Sequence, residues 1–172
     1  DEVFDLVKTW SKDHDKELYQ KIIQDEARFL NSITIWHKNR MDVACFSEIK
    51  AQFNYLYDDD FVESLEKCDM MDMPYFSDIL EDYLDGLDLG VEQSVWFDRV
   101  RQIAGKYNYA IRPKDFKNNP SQYNGSIVEV STFIRLALTG RKDSPDIFEI
   151  SKFIGIDEVK NRINRLIELA EK

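Results

Sequence analysis

The sequence predicts an all-α protein built as two consecutive helical bundles of about nine helices. Three observations carry that prediction. Apolar residues recur at three- and four-residue spacing along most of the 172 residues. Glycine and proline number only six and four, too few for the turns that a sandwich or barrel of short strands needs. Hydrophobic residues make up 43% of the chain and aromatic residues 13%, enough to line the core of one large domain or two small ones.

The chain begins with the acidic, amphipathic stretch DEVFDLVKTWSKD. It has no methionine and no h-region, as expected of a domain excised from a longer protein and not of a signal peptide. Leu18, Ile22, Ile23, Ala27, Leu30, Ile33 and Ile35 then predict one helix over about 15–36. Ile49, Phe53 and Leu56 predict a second over 47–57. Asp58, Asp59 and Asp60 place acids at the start of a short helix over 61–67, where they suit the positive end of its dipole. Met70, Met71 and Met73 follow in a loop, and Pro74 opens a helix to about Leu84.

The stretch Asp85-Gly86-Leu87-Asp88-Leu89-Gly90 is the candidate hinge, because both glycines can take positive φ. It predicts two subdomains, 1–88 and 89–172. Val95, Trp96, Arg99, Val100 and Ile103 predict a long helix over 91–107, and residues 108–125 read as the longest irregular connection. Ser126 is an N-cap for an apolar helix over 127–138, which Gly140 closes. Pro145 begins a helix stopped by Gly155, and Asp157 caps the last one, over 158–171.

The net charge of −10 argues at face value against a nucleic-acid partner. Its distribution argues the other way. Residues 58–98 hold fourteen acids against one base, Lys67, whereas residues 99–142 hold nine bases against Asp115 and Glu129. A phosphate backbone responds to the field within roughly one Debye length, about 8–10 Å, and not to the total. No stretch approaches the roughly 20 uninterrupted apolar residues that span a bilayer, so no membrane partner is expected. Cys45 and Cys68 have no second Cys or His at metal-ligand spacing and read as free thiols of a reducing, cytoplasmic compartment.

Catalytic constellations are missing. There is no Gly-rich phosphate loop, no His-Glu-x-x-His and no Gly-x-Ser-x-Gly elbow. His14 sits among Asp13, Asp15 and Lys16 and reads as solvated; His37 follows Trp36 at a helix end, where an imidazolium suits the dipole. The carboxylates have the spacing of a solvated helix face. Phe53, Phe76, Phe97, Phe133 and Phe148 fall on apolar stripes and read as core. Tyr107, Tyr109, Phe116 and Tyr123 are interleaved with Lys106, Arg112, Lys114 and Lys117, and suit either core packing or stacking on unpaired bases.

One segment is more specific: Arg135-Leu136-Ala137-Leu138-Thr139-Gly140, then Arg141-Lys142-Asp143-Ser144-Pro145-Asp146-Ile147-Phe148-Glu149-Ile150, then Phe153-Ile154-Gly155. One helix stops with free carbonyls and the next begins with exposed N–H groups, so the loop offers acceptors and donors at close range. Arg135 can present its planar fork to a base edge or a phosphate, and Pro145 and Ile147 can form an apolar shelf. On chemistry alone the same residues also suit ordinary punctuation between two helices.

The segment resembles the hallmark of the anticodon-binding domain of glutamyl-tRNA synthetases: a helix ending in Arg-x-Ala-Leu-Thr-Gly, a short loop, then a Pro-led helix with an apolar-aromatic-Glu run and a closing apolar-Gly. Asp157-Glu158-Val159 with Arg162-Ile163, and Gly105-Lys106 upstream, are similar to the family pattern too. The close match covers about 126–168, and 40–107 fits through helix order. The resemblance implies an α-helix-cage domain that binds the anticodon loop of a glutamate-specific tRNA, in a protein that works as a monomer. It makes Arg135 the lead base contact and Ser144, Pro145 and Ile147 a pocket, with Thr139, Gly140, Arg141, Lys142, Lys106, Lys114 and Lys117 completing the RNA-binding set.

The family commonly has Thr where Ser144 stands and Leu where Ile147 stands. An Arg-x-Lys-Thr-Leu-x-Glu-like segment of the family is matched only by Asp42-Val43-Ala44-Cys45-Phe46-Ser47-Glu48, with Arg40 two residues before it. The resemblance implies no cofactor for this chain. ATP and Mg would serve the catalytic part of the parent enzyme, whose His-Ile-Gly-His and Lys-Met-Ser-Lys-Ser-like signatures are not in this sequence, so the chain alone is expected to be inactive. Two alternatives are the helical module of a class I lysyl-tRNA synthetase and a helical protein-interaction domain that docks through its acidic half.

Overall fold

The structure, a computed structural model, describes residues 2–38, 45–57, 61 and 67–172, with the side chains of residues 37 and 38 left aside. The regular elements among the described residues are all helices, and the only β pairing among those residues is an isolated parallel bridge between Ala110 and Ser126. The all-α expectation holds. The chain divides into two compact units, 1–62 and 63–172.

The first unit contains α1 (Glu2–His14), α2 (Lys16–Gln24), α3 (Glu26–Lys38) and the short α4 (Ile49–Phe53). The single helix expected over 15–36 is broken at Asp25. That residue leaves helical geometry at φ −149°, ψ 83°, and its carboxylate accepts the Arg28 N–H at 2.9 Å. Asp15 does the same for the Leu18 N–H, at 3.0 Å. Asp offers the backbone a local partner and so divides a long apolar stripe into capped pieces. The core gathers on Phe29, whose ring meets Phe4 at 6.1 Å and Phe53 at 5.9 Å. In the segment expected as a helix over 47–57, Phe53, Tyr55 and Leu56 are all buried. Such close spacing does not fit one 3.6-residue face, and α4 is flanked by 3₁₀ turns at Phe46–Glu48 and Asn54–Leu56. The acids expected to cap a helix over 61–67 lie outside the described residues, as do Arg40 and Asp42 to Ala44.

The second unit contains α5 (Phe76–Asp85), α6 (Gln93–Lys106), α7 (Pro113–Asn118), α8 (Ile127–Thr139), α9 (Ile147–Ile154) and α10 (Ile156–Ala170). Helix α8 is apolar nearly all round and lies against α5, α6, α9 and α10; a helix without a polar face belongs in the middle of a bundle. Phe133 of α8 packs edge-on against Phe76, with centroids 4.9 Å apart, and against Tyr109. Trp96 of α6 meets Phe148 of α9 and donates its indole N–H to the Tyr83 hydroxyl at 3.1 Å.

Phe53, Phe76, Phe133 and Phe148 are buried, as their stripes predict, while Phe97 is half-buried. The three methionines expected in a loop flank or occupy a 3₁₀ turn over Asp69–Asp72, with Met71 buried. Pro74 precedes α5 without opening it, because Tyr75 takes a left-handed φ of 61°.

The expected subdomain boundary at 88/89 lies inside this second unit, since α5 and α6 pack on each other and both pack on α8. Gly86 does not take a positive φ; it sits at −126°, and only Gly140 and Gly155 are positive among the described glycines. What Gly86 provides is space. A Cβ there would fall 2.0 Å from Cζ of Arg99, whose Nη2 donates to the Asp82 carbonyl at 3.0 Å.

Candidate nucleic-acid interface

The segment between α8 and α9 is built from both sides. At the start of α8 a capping box fixes the helix: Ser126 accepts the Val128 N–H at 3.2 Å while Glu129 accepts the Ser126 N–H at 2.7 Å. At its end Gly140 takes φ 67° and returns its N–H to the Leu136 carbonyl at 2.8 Å, an αL stop of the kind glycine permits. Thr139 is buried. Its hydroxyl donates to the Arg135 carbonyl at 2.8 Å and accepts the Arg141 N–H at 3.2 Å, so it holds the turn together from within.

A second arginine secures the same corner from α10. Arg162 has no solvent exposure; its Nη1 donates to the Leu138 carbonyl at 2.7 Å and its Nε to Glu158 at 2.9 Å. It satisfies a carbonyl that the end of α8 leaves open, with its own charge balanced by Glu158 one turn earlier on α10. This residue was named in the sequence only as part of a motif. The signal for its role is a Glu-x-x-x-Arg spacing on the apolar stripe of Val159, Ile163 and Leu166.

Arg135 is half-buried, and its Nε donates across the loop to the Ser144 hydroxyl at 3.1 Å. Burial pushes its guanidinium pKa down, while the charges of Asp146 and Asp143 push it back up; a guanidinium retains its charge at neutral pH regardless. Ser144 in turn donates to the Pro145 carbonyl at 2.9 Å. Asp146, and not Pro145, begins α9: its Oδ1 accepts the N–H groups of Phe148 at 3.0 Å and Glu149 at 3.1 Å. Pro145 and Ile147 are buried and form no open shelf, Arg141 is half-buried, and Lys142 is exposed. The loop therefore ties Arg135 to Ser144 by a hydrogen bond, keeps the Asp146 charge within reach of that guanidinium, and turns Thr139, Pro145 and Ile147 inward.

The connection at 108–125 is more ordered than expected. It contains α7 and a 3₁₀ turn at Pro120–Gln122, each with a proline in its first turn. Asn108 takes φ 58° and its side chain donates to the Gln122 carbonyl at 2.9 Å. The cations here fall into two groups. Lys106 pairs with Asp82 of α5, which holds the lysine above and the carboxyl below its ordinary pKa, and Arg112 pairs with Asp115 at 2.8 Å. Lys114 and Lys117 are exposed on α7 with no partner among the described residues. The basic and acidic stretches of the sequence are thus partly neutralised against each other in space.

Of the four aromatic residues left open, Tyr109 is core: it is 1% exposed, its hydroxyl donates to the Pro74 carbonyl at 2.7 Å, and burial pushes its pKa up to about 12. Gly125 is required beside it, because a Cβ there would lie 2.7 Å from its ring. Tyr107 is half-buried and donates to the Asp78 carbonyl at 3.3 Å, and Phe116 and Tyr123 are half-buried. Elsewhere His14 is exposed beside Trp10, with rings 5.5 Å apart, and Cys45 and Cys68 are free. Among the described residues no cluster of His, Cys, Asp or Glu could hold a metal, and no helix is long and apolar enough to cross a membrane.

Residues 120–167, which begin before the central helix and include its arginine-bearing loop, match the family described as the anticodon binding domain. The matched span contains the whole α8–α9 loop together with α10 up to Ile167. Along 97% of its length the chain is 31% identical to the glutamate–tRNA ligase of Acetivibrio thermocellus, covering 31% of that protein. It is 31% identical over 98% of its length to the ligase of the same name from Clostridium beijerinckii, and 28% identical over 97% to that of Clostridium perfringens, covering 32% of each. The chain spans about a third of the length of these curated relatives. It carries an anticodon-binding domain of the glutamate–tRNA ligase kind. The lysyl-tRNA synthetase alternative gains no support from these relatives.

Proposed function

We propose that this chain is the carboxy-terminal anticodon-reading part of a glutamate–tRNA ligase, binding the anticodon loop of a glutamate-specific tRNA. The observation that carries the reading is the Arg135–Ser144 hydrogen bond. It holds a half-buried guanidinium at a helix junction, with its fork oriented before any ligand arrives. Oriented donors discriminate base edges, and unpaired loop nucleotides are the ones whose edges can be reached. Arg135 and Ser144 act on bases, with Arg141 and Lys142 beside them. Thr139, Gly140, Pro145 and Ile147 shape the loop, and Lys114 and Lys117 neutralise phosphates, while Lys106, paired with Asp82, would have to exchange that partner to do the same. In this proposal the second unit, 63–172, carries the reading loop. In the parent ligase a separate catalytic part would activate glutamate with ATP and Mg; the whole acts as a cytoplasmic monomer.

Arg135→Ala is expected to weaken binding of a glutamate-tRNA anticodon stem-loop by about 1–3 kcal/mol, the scale of one bidentate base contact. Equal affinities of the wild type and the variant would remove Arg135 from the site. The same substitution in the full-length ligase should lower charging of glutamate tRNA.

A further inference from the structure

We infer that Gln93, on a different helix from the reading loop, is a specificity-determining contact that distinguishes uracil from cytosine at one position of the bound loop; this rests on the anticodon-reading function proposed above. Gln93 is the first residue of α6, and its Nε2 donates to Oδ2 of Asp146 at 2.7 Å. The other oxygen of Asp146 is held by two backbone N–H groups of α9, so the carboxylate cannot rotate without uncapping that helix. A carboxylate only accepts. It therefore dictates which way the glutamine amide faces: the nitrogen inward, the carbonyl oxygen and the second N–H outward.

Gln93 is exposed, and those two outward groups have no partner among the described residues. Ser144, which holds Arg135, stands two residues before Asp146, and the Asp146 charge acts on the Arg135 guanidinium, so Gln93 and Arg135 are both fastened to the same α8–α9 loop. The bond is poorly explained as a stabilising one. The α9 cap is complete through Oδ1 alone, and a single exposed hydrogen bond adds little against the entropy of ordering a glutamine. What it does accomplish is a fixed order of acceptor and donor at the surface. Uracil presents O4 as acceptor beside N3–H as donor, and cytosine presents an amino donor beside N3 as acceptor. A freely turning amide fits both; an amide locked by Asp146 fits one. Locking also removes much of the ordering cost that a mobile side chain would meet on binding.

The test uses the 172-residue chain and synthetic anticodon stem-loops carrying UUC, with each anticodon pyrimidine exchanged in turn for the other. Dissociation constants are measured at fixed low salt, with melting temperatures alongside. Gln93→Ala should lower affinity for the UUC stem-loop by about tenfold and bring the U-to-C ratio at one position close to unity, with the melting temperature unchanged. Asp146→Asn retains a capping oxygen but turns a donor toward Gln93. The amide should then reverse and the preference at that same position should invert or weaken. An unchanged ratio at every position in Gln93→Ala, with Arg135→Ala still impaired, overturns this inference alone. Wild-type binding that ignores the anticodon overturns both this inference and the function it rests on.

Discussion

The α8–α9 loop and the connection at 108–125 both carry basic residues between helices, yet they handle those residues in opposite ways. In the loop, the polar groups that hold Arg135 in place have named partners: Ser144 is engaged by Arg135 and Pro145, Thr139 by Arg135 and Arg141, and the end of α8 by Arg162. In the connection, the backbone is fastened by Asn108 and Gly125, but Lys114 and Lys117 stand in solvent. Fixed donors carry sequence information because a wrong base edge leaves them unpaired; mobile ammonium groups supply charge that any phosphate satisfies. Basic composition thus marks a nucleic-acid surface, whereas discrimination depends on how firmly the basic group is held. The family match at 120–167 includes the first region entire and omits Lys114 and Lys117.

Substitutions that loosen the loop should have larger consequences than any in the connection. The largest effect is expected for Arg162→Met, which leaves the Leu138 carbonyl and Glu158 without their donor. Stability should fall by about 3 kcal/mol, read from the denaturant midpoint; a loss under about 0.5 kcal/mol would make the loop no more firmly held than the connection. Gly140→Ala comes next. The φ of 67° is a left-handed angle that costs a non-glycine residue about 1–2 kcal/mol, visible as a lowered melting temperature.

Ser144→Ala should leave the fold intact and cost about 1 kcal/mol of stem-loop binding by releasing the Arg135 Nε. An unaltered dissociation constant would mean that Arg135 is oriented by something other than Ser144. The smallest effect on discrimination belongs to Lys114→Ala with Lys117→Ala. Affinity should drop alike for matched and mismatched anticodons, and the log–log salt slope should become shallower by about one per lysine. A selective loss for one anticodon would move base reading into the connection.

Much of this was legible in the residues themselves wherever the determinant is local. The cap at Ser126, the stop at Gly140 and the turn at Gly155 each depend on a few consecutive residues, and each is found where the pattern places it. The break at Asp25 is also local in origin, but a single capping residue does not stand out within a continuous apolar stripe. Burial of Thr139, Pro145 and Ile147 was not legible. A short run of mixed residues between helices presents the same sequence whether its apolar members face water or a neighbouring helix. Tyr109 shows the same ambiguity: it stands among lysines in sequence, while the Ala110–Ser126 bridge turns its ring toward Phe133. Charge was misleading for a related reason, since Lys106 and Asp82 are far apart in sequence and paired in space.

The sequence by itself determined that the chain is helical, where the helices of the second unit stop, and which loop bears the arginine-led motif. Those properties follow from backbone preferences and capping chemistry that act over a turn or two. Tertiary structure decided which polar groups of that loop are engaged and which remain available. That depends on what α10 and α6 bring to it: Arg162 from one, fully buried against Leu138, and Gln93 from the other, exposed against Asp146. Which polar groups remote in sequence come within hydrogen-bonding distance depends on how the helices pack, and no local pattern records that event.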